Sequence, residues 1–331
     1  MKIAVIGAGG WGTALAIVLH HNGHHVALWG RDSLLMGLIN ERRINADYLP
    51  GIHLPEPIAL TSDLAETLVD VEMVVLAVPS HAMRDTCRKL QSAIGNRQSA
   101  IFISVAKGIE ADTGLRMSEV IRAAVPGAKI ATLSGPSLAD EVARGIPTAV
   151  VAASEDPSTA ALAQQTFFSE RFRVYTSADL IGVELGGALK NIVALAAGLC
   201  DGLGLGDNSK AALITRGLVE IARLGAALGA QRDTFAGLSG LGDLVVTCTS
   251  RRSRNRSVGE RLGKGEKIAD ILASMEMVAE GVRNAKSVHD LARKHNVRTP
   301  IVDEVHAIIY QDKSPKQAVK DLMTRDAREE A

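Results

Sequence analysis

Aromatic side chains are scarce: Phe, Trp and Tyr make up 3% of the 331 residues. The core must therefore be packed mostly with Ala, Leu, Val and Ile, a mix common in α/β proteins. Cysteine is scarce as well. Cys87, Cys200 and Cys248 form no Cys-x-x-Cys pair and no Cys/His cluster, so neither a disulfide framework nor a structural zinc site is indicated, and three reduced thiols in a cytoplasm are expected. Net charge is absent, with 37 basic residues against 37 acidic ones. Such a chain has no overall electrostatic reason to bind nucleic acid or an anionic membrane. No continuous run of about twenty apolar residues occurs, so neither a transmembrane helix nor integral membrane contact is expected. The apolar stretch 3–19 with Ala14-Leu15-Ala16 imitates a secretory signal, but Gly7, Gly9, Gly10 and Gly12 interrupt it where such a signal is continuous. His20, His21, His24 and His25 cluster locally in a short turn, which suits a solvated surface better than a metal cage.

What is present is a substantial core-forming fraction. Hydrophobic residues are 47% and charged residues 22%, which excludes disorder. The length suggests two domains at roughly 150 residues each. Residues 2–6 form an apolar β-like run, Gly7 to Gly12 a glycine turn, and 13–21 carry apolar residues at helical spacing. Gly23 stops that helix and 25–29 reads as a second strand. Further apolar strands are predicted at 73–78, 100–105, 129–133 and 148–152, with Ser80 capping a helix and Asp156-Pro157 opening another. Near-continuous apolar strands alternating with helices predict a doubly wound, largely parallel sheet of Rossmann type. After about Ser177 the texture changes to long helical patterns, including 258–273 and 285–295, and Ser314-Pro315-Lys316-Gln317 reads as a capping box. The expected organisation is a dinucleotide-binding domain over 1–177, an all-helical substrate and catalytic domain over 178–324, and a polar tail over 325–331.

Each glycine of the loop has a mechanical task in such a domain. Gly7 permits the tight turn, Gly9 lets backbone approach a pyrophosphate, and Gly12 lets the helix pack on the strand. The helix start then offers unpaired N–H groups to the phosphates; a ligand-free glycine turn is the plain alternative. After the second strand, an NAD enzyme commonly carries a carboxylate, whereas this chain has Gly30, Arg31 and only then Asp32. A guanidinium there can hold a 2′-phosphate bidentately, favouring NADPH/NADP over NADH/NAD, with dual use open. Arg31 as a solvated loop charge is the other reading.

Lys107, in Ala106-Lys107-Gly108, lies just past a predicted strand end, where ligands of open α/β sheets bind; a surface lysine remains the alternative. Lys190 is better placed. If 184–200 is helical, its neighbours one turn away are Gly186, Gly187, Val193 and Ala194, all small or apolar. Desolvation on such a face lowers a lysine pKa and suits acid/base work, unless the amine snorkels to solvent. Asp243, in Ser239-Gly240-Leu241-Gly242-Asp243-Leu244, could orient such a lysine or simply form the turn. Arg251-Arg252-Ser253-Arg254-Asn255-Arg256 supplies guanidinium, hydroxyl and amide donors suited to phosphate.

These runs, together with Tyr48-Leu49-Pro50-Gly51-Ile52, Leu133-Ser134-Gly135-Pro136-Ser137, Glu184-Leu185 with Leu189-Lys190-Asn191, and Val278-Ala279-Glu280-Gly281, stand in an order that closely resembles the bacterial soluble NAD(P)-dependent glycerol-3-phosphate dehydrogenases along nearly the whole chain. The resemblance implies reduction of dihydroxyacetone phosphate to sn-glycerol 3-phosphate by NAD(P)H, supplying phospholipid synthesis, in a cytoplasmic homodimer. It implies Lys190 as the acid/base and Lys107, Gly135, Ser137, Lys190, Asp243, Ser253, Arg254 and Asn255 as substrate contacts. For the cofactor it implies Gly7, Gly9, Gly10, Trp11, Gly12, Arg31, Asp32, Tyr48, Lys107, Ala139, Arg254, Val278 and Glu280. Gly10 departs from the many relatives with Ser, which removes one side-chain hydrogen bond but not the loop. No metal is implied. Two rival readings are a β-hydroxyacid dehydrogenase, whose substrate is a carboxylate, and a non-catalytic cofactor sensor, which has no use for a desolvated lysine or an arginine cradle.

Overall fold

The computed structural model describes residues 1–94, 100–275, 279–327 and 329. Its first part alternates strands and helices: β1 Lys2–Ile6, α1 Gly10–His21, β2 His25–Trp29, α2 Ser33–Arg42, β3 Ala59–Thr61, α3 Leu64–Thr67, β4 Met73–Leu76, α4 Met83–Ile94, β5 Ile101–Ser104 and α5 Met117–Ala124. Then come β6 Lys129–Ser134, α6 Ala139–Ala143, β7 Thr148–Ala153, α7 Pro157–Phe167 and β8 Phe172–Ser177. The rest is helical among the described residues: α8 Leu180–Leu203, α9 Gly206–Ala227, α10 Asp243–Thr249, α11 Arg254–Gly263, α12 Ile268–Ala273, α13 Glu280–Lys294, α14 Pro300–Tyr310 and α15 Pro315–Met323.

The strands form one sheet in the order β3-β2-β1-β4-β5-β6-β7-β8. β3 through β6 run parallel, β7 is antiparallel to β6, and β8 is parallel to β7. The central strands β4 and β5 are buried along their whole length, which is why they read as unbroken apolar runs rather than alternating ones. Strand order reverses between β1 and β4, and their carboxyl ends open the crevice where α/β sheets bind ligands. The edge strand β3 is three residues of Ala, Leu and Thr, too short to carry a periodic signal. β8 alternates buried Phe172 and Val174 with exposed Arg173 and Tyr175, a half-covered strand that the run-of-apolar criterion missed.

Several local expectations change. Ser80 does not cap α4; its hydroxyl donates instead to Glu280 Oε2 at 2.6 Å. Ser314 holds the N-cap position of α15, yet forms no side-chain cap, and Gln317 Nε2 donates forward to Asp321 at 2.6 Å. The helical pattern 258–273 is split into α11 and α12 around Gly265, which has φ of +94°. α8, interrupted by Glu184, Lys190 and Asn191, is nonetheless long and apolar enough to cross a membrane by length and composition. Of its most apolar window 94% is buried inside the protein, where it packs against α9, α10, α11 and α13. The stretch that imitates a signal is β1 and α1; Ile3, Val5 and the apolar residues of α1 lie in one core, and Ala4 and Ile6 in a second.

Candidate functional site

The glycine loop lies between β1 and α1. Gly7 adopts φ of +121°, and a side chain there would meet the Ala77 carbonyl at the end of β4; this is the tight turn that L-residues resist. A Cβ on Gly9 would meet nothing within 4 Å, so that edge of the loop faces open space. Gly9 is also the N-cap of α1 and supplies no side-chain cap, leaving first-turn N–H groups for an external anion. The indole Nε1 of Trp11 is buried without a hydrogen-bond partner. An open glycine edge, an uncapped helix start and an unpaired donor fit a bound dinucleotide. Asn45 braces the loop, donating to the Ala8 carbonyl at 2.9 Å and to Thr13 Oγ1 at 2.8 Å. A Cβ on Gly10 would lie 2.6 Å from the Tyr48 carbonyl and 3.8 Å from Ala139 Cβ, so these two expected contact residues border the same loop; Gly12 packs on the Gly7 carbonyl.

Arg31 is exposed beyond β2 and close enough to His81 to disfavour its protonation, as Arg283 also does, although desolvation is the largest cause of that lowered pKa. Asp32 is exposed, and its Oδ1 caps α2 by accepting from Leu34 N and Leu35 N at 3.0 and 3.1 Å. Glu280 opens α13 and accepts from Ser80 N and Ser80 Oγ at 3.1 and 2.6 Å. Val278 lies outside the described residues.

A second group gathers around one carboxylate. Asp243 follows a π-helical turn over Leu238–Gly242 and is 1% exposed. Its Oδ1 accepts from Lys190 Nζ at 2.5 Å and its Oδ2 from Lys107 Nζ at 2.7 Å. Two ammoniums thus share one carboxylate, leaving the trio with net positive charge. Lys190 also donates to Thr247 Oγ1 at 2.6 Å, whose own hydroxyl donates to the Asp243 carbonyl. Desolvation pulls the Lys190 pKa down to about 8, and Lys107 adds to this while Asp243 opposes it. Lys107 Nζ reaches the Gly135 carbonyl at 2.9 Å and Ser137 Oγ at 3.4 Å. Gly135 has φ of +140° at the end of β6.

The arginine run divides by role. Arg252 pairs with Asp140 at 2.6 Å, and Arg256 pairs with Asp201 at 2.7 Å and Glu260 at 3.1 Å. Arg254 faces solvent at the start of α11; crowding by protein atoms lowers its pKa and Glu280 acts in the opposite sense. Ser253 caps α11 by accepting from Arg256 N at 3.2 Å, which leaves its hydroxyl hydrogen to donate. Asn255 is buried, donating to Asn191 Oδ1 and accepting from Gly281 N, both at 2.9 Å, so it is partly a strut between α8 and α13. Sequence reasoning missed Thr247, one turn beyond Asp243, and Asn45. An i, i+4 spacing from Asp243 on a helix signals the first; nothing local signals the second.

The family model described as the N-terminus of NAD-dependent glycerol-3-phosphate dehydrogenase matches residues 2–160, and that of its C-terminus residues 179–320. A glycerol-3-phosphate dehydrogenase (NAD(P)+) of Syntrophotalea carbinolica is 50% identical, with 100% of this chain and 99% of the relative covered. One from Geobacillus kaustophilus is 50% identical over 99% and 96%. The crystal structure of glycerol-3-phosphate dehydrogenase from Coxiella burnetii superposes with a TM-score of 0.94 at 40% identity, covering 98% of each chain.

Proposed function

The chain belongs to the NAD-dependent glycerol-3-phosphate dehydrogenase family, and from that premise we propose that it interconverts dihydroxyacetone phosphate and sn-glycerol 3-phosphate with NAD(P)H, supplying glycerol 3-phosphate for phospholipid synthesis. The observation that carries this reading is the pair of ammoniums on Asp243, one of them on the loop that leaves β5 in the same sheet whose β1 feeds the glycine loop. The reduced nicotinamide, when bound, supplies the hydride. Lys190 gives the proton: its ammonium hydrogen passes to the substrate oxygen as the carbonyl becomes an alcohol. Asp243 and Thr247 accept two of its three hydrogens, leaving the third for the substrate. Lys107 places a second positive charge where oxygen becomes alkoxide-like, and fixed charge in a dry site stabilises that state strongly. Ser253, Arg254 and Asn255 at the start of α11 hold the phosphate, and this remote binding orients the reacting carbon. Gly135 and Ser137 border the carbonyl end of the pocket. Gly7, Gly9, Gly10, Trp11 and Gly12 cradle the pyrophosphate, Ala139 and Tyr48 flank it, and Glu280 closes the nicotinamide side. Arg31 reads the 2′-phosphate of NADPH.

The helices after Ser177 form the substrate-bearing domain of this reading, with the division near residue 178. The enzyme works as a cytoplasmic homodimer, in keeping with the resemblance. Initial rates with dihydroxyacetone phosphate and each reduced nucleotide test the activity; no cofactor oxidation in either case contradicts it. Inhibition by inorganic phosphate separates it from a carboxylate-specific dehydrogenase. Arg31→Ala should raise KM for NADPH by roughly tenfold, the loss of one charge-assisted contact of about 1.5 kcal/mol, and leave KM for NADH nearly unchanged. Equal loss for both nucleotides removes Arg31 from 2′-phosphate recognition.

A further inference from the structure

Glu184 has no part in the chemistry above, yet its carboxylate is firmly held. It lies on α8 before Lys190, is 8% exposed, and accepts from Arg116 Nη1 at 2.6 Å, Ser118 N at 2.7 Å and Ser118 Oγ at 2.7 Å. Ser118 stands in the first turn of α5, so its N–H is one that helix cannot use itself. Burial pushes the Glu184 carboxyl up, and Arg116 and Ser118 act against that.

These donors sit at the base of the loop that carries Lys107. The loop leaves β5 after Ser104, passes Lys107 and Gly108, and is closed by an antiparallel bridge between Ile109 and Arg116. Arg116 then crosses to Glu184. Helix α8 meets the loop again further along. Asn191 Nδ2 donates to the Lys107 carbonyl at 3.4 Å, and a Cβ on Gly187 would lie 2.7 Å from Ser134 Oγ and 3.3 Å from Lys107 Cγ. The helix therefore lies against the Lys107 stem with no slack.

We propose that Glu184, clasped by Arg116 and Ser118, is a positioning residue: it fixes where α8 rests on the sheet, and hence the separation of the Lys190 and Lys107 ammoniums across Asp243. The proposal rests on the roles given above to the two lysines. Both amines bond one carboxylate at 2.5 and 2.7 Å, so a slip of about 1 Å along α8 breaks one of the two contacts, and misplacements of that size cost up to about 100-fold in rate. The charged and titratable groups facing Lys190 are Asp243 and Cys248 from α10 and Lys107 from the loop. With the clasp open, the Lys190–Asp243 contact loosens, and losing that attraction lowers the Lys190 pKa, while entering water and a more distant Lys107 act in the opposite sense, so the pKa moves from its wild-type value by the difference.

Glu184→Gln keeps the shape but leaves the Arg116 guanidinium to its other carboxylate, Glu119 at 3.1 Å, so it is paired with the double variant Glu184→Gln/Arg116→Met, which removes that charge. We expect kcat for dihydroxyacetone phosphate reduction to fall by about 10- to 100-fold in both, KM for NADPH to stay within about twofold, and the alkaline limb of kcat to shift away from its wild-type pH. A folded double variant with wild-type kcat and limb would overturn the proposal. Ser118→Ala removes a single hydroxyl donor and decides the matter if the other variants fail to fold. A smaller loss of kcat with a limb shift of the same sign as in the other variants supports the clasp, and wild-type values overturn it. Titration of the Lys190 ammonium by lysine-selective NMR needs no turnover. It reads the same shift even if the wild-type enzyme fails to reduce dihydroxyacetone phosphate, an outcome that contradicts the proposed function instead.

Discussion

At the scale of single residues, the loop glycines are not interchangeable. Gly9 borders open space, whereas Gly10 lies against a backbone carbonyl, with room for no side chain unless the segment bearing Tyr48 retreats. From the sequence, the glycine at position 10 reads as the loss of one serine hydrogen bond; the structure adds that in this chain the glycine admits a close approach. Gly10→Ser should therefore weaken rather than strengthen cofactor binding. Overpacking strain is typically 1–3 kcal/mol, so we expect the NADPH Kd to rise by roughly tenfold in a fluorescence titration, with Gly10→Ala showing a similar loss. Tighter NADPH binding by the serine variant would show that Tyr48 yields freely. Lys190 illustrates how much a residue's type and spacing can reveal. Its small neighbours at one helical turn were enough to predict a buried amine, and it is 5% exposed. Its partners Thr247 and Asp243 come from another helix, and only tertiary packing shows that Asp243 serves two lysines at once.

At the scale of elements, strands buried on both faces were legible as apolar runs, and β1, β2, β4, β5, β6 and β7 all stand where the sequence predicts them to within two residues. β3 and β8 were not, the first for its length and the second because one face is in water. Helix ends were less legible, since side chains such as Ser80 and Gln317 found partners other than the local backbone. Another such junction gives a stability prediction. Glu220 on α9 is buried and accepts from Ile301 N at the start of α14 at 3.0 Å, and desolvation pushes its carboxyl up from 4.5 to about 7, against the pull of those N–H groups. A folded-state pKa above the unfolded one means the carboxyl contributes stability below about pH 4.5 that is lost as pH rises through about 7. Thermal unfolding should accordingly show the wild type losing Tm relative to Glu220→Gln as pH rises from 4.5 to about 7. Parallel Tm curves for the two proteins would show that Glu220 keeps its ordinary pKa.

At the scale of the whole molecule, the proposed function depends on the sheet and the helical part meeting over one carboxylate. The sheet and its loops bring Lys107 and Gly135, the helical part brings Lys190, Asp243 and the start of α11, and α8 runs along the seam. The doubly wound sheet and the helical remainder were readable from texture alone, but the seam was not, because its contacts join residues such as Lys107 and Asp243 that lie 136 positions apart. The most direct measurement is kcat against pH for dihydroxyacetone phosphate reduction by the wild type and by Lys190→Met, with NADPH binding measured in parallel. The Lys190 pKa of about 8 predicts a rate that falls as pH rises through that value, while the reverse oxidation rises there. The variant should bind NADPH normally and lose about 100- to 10,000-fold in kcat together with this limb. A variant that reduces the substrate within a few-fold of wild type, with the limb intact, would contradict the assignment of the proton to Lys190.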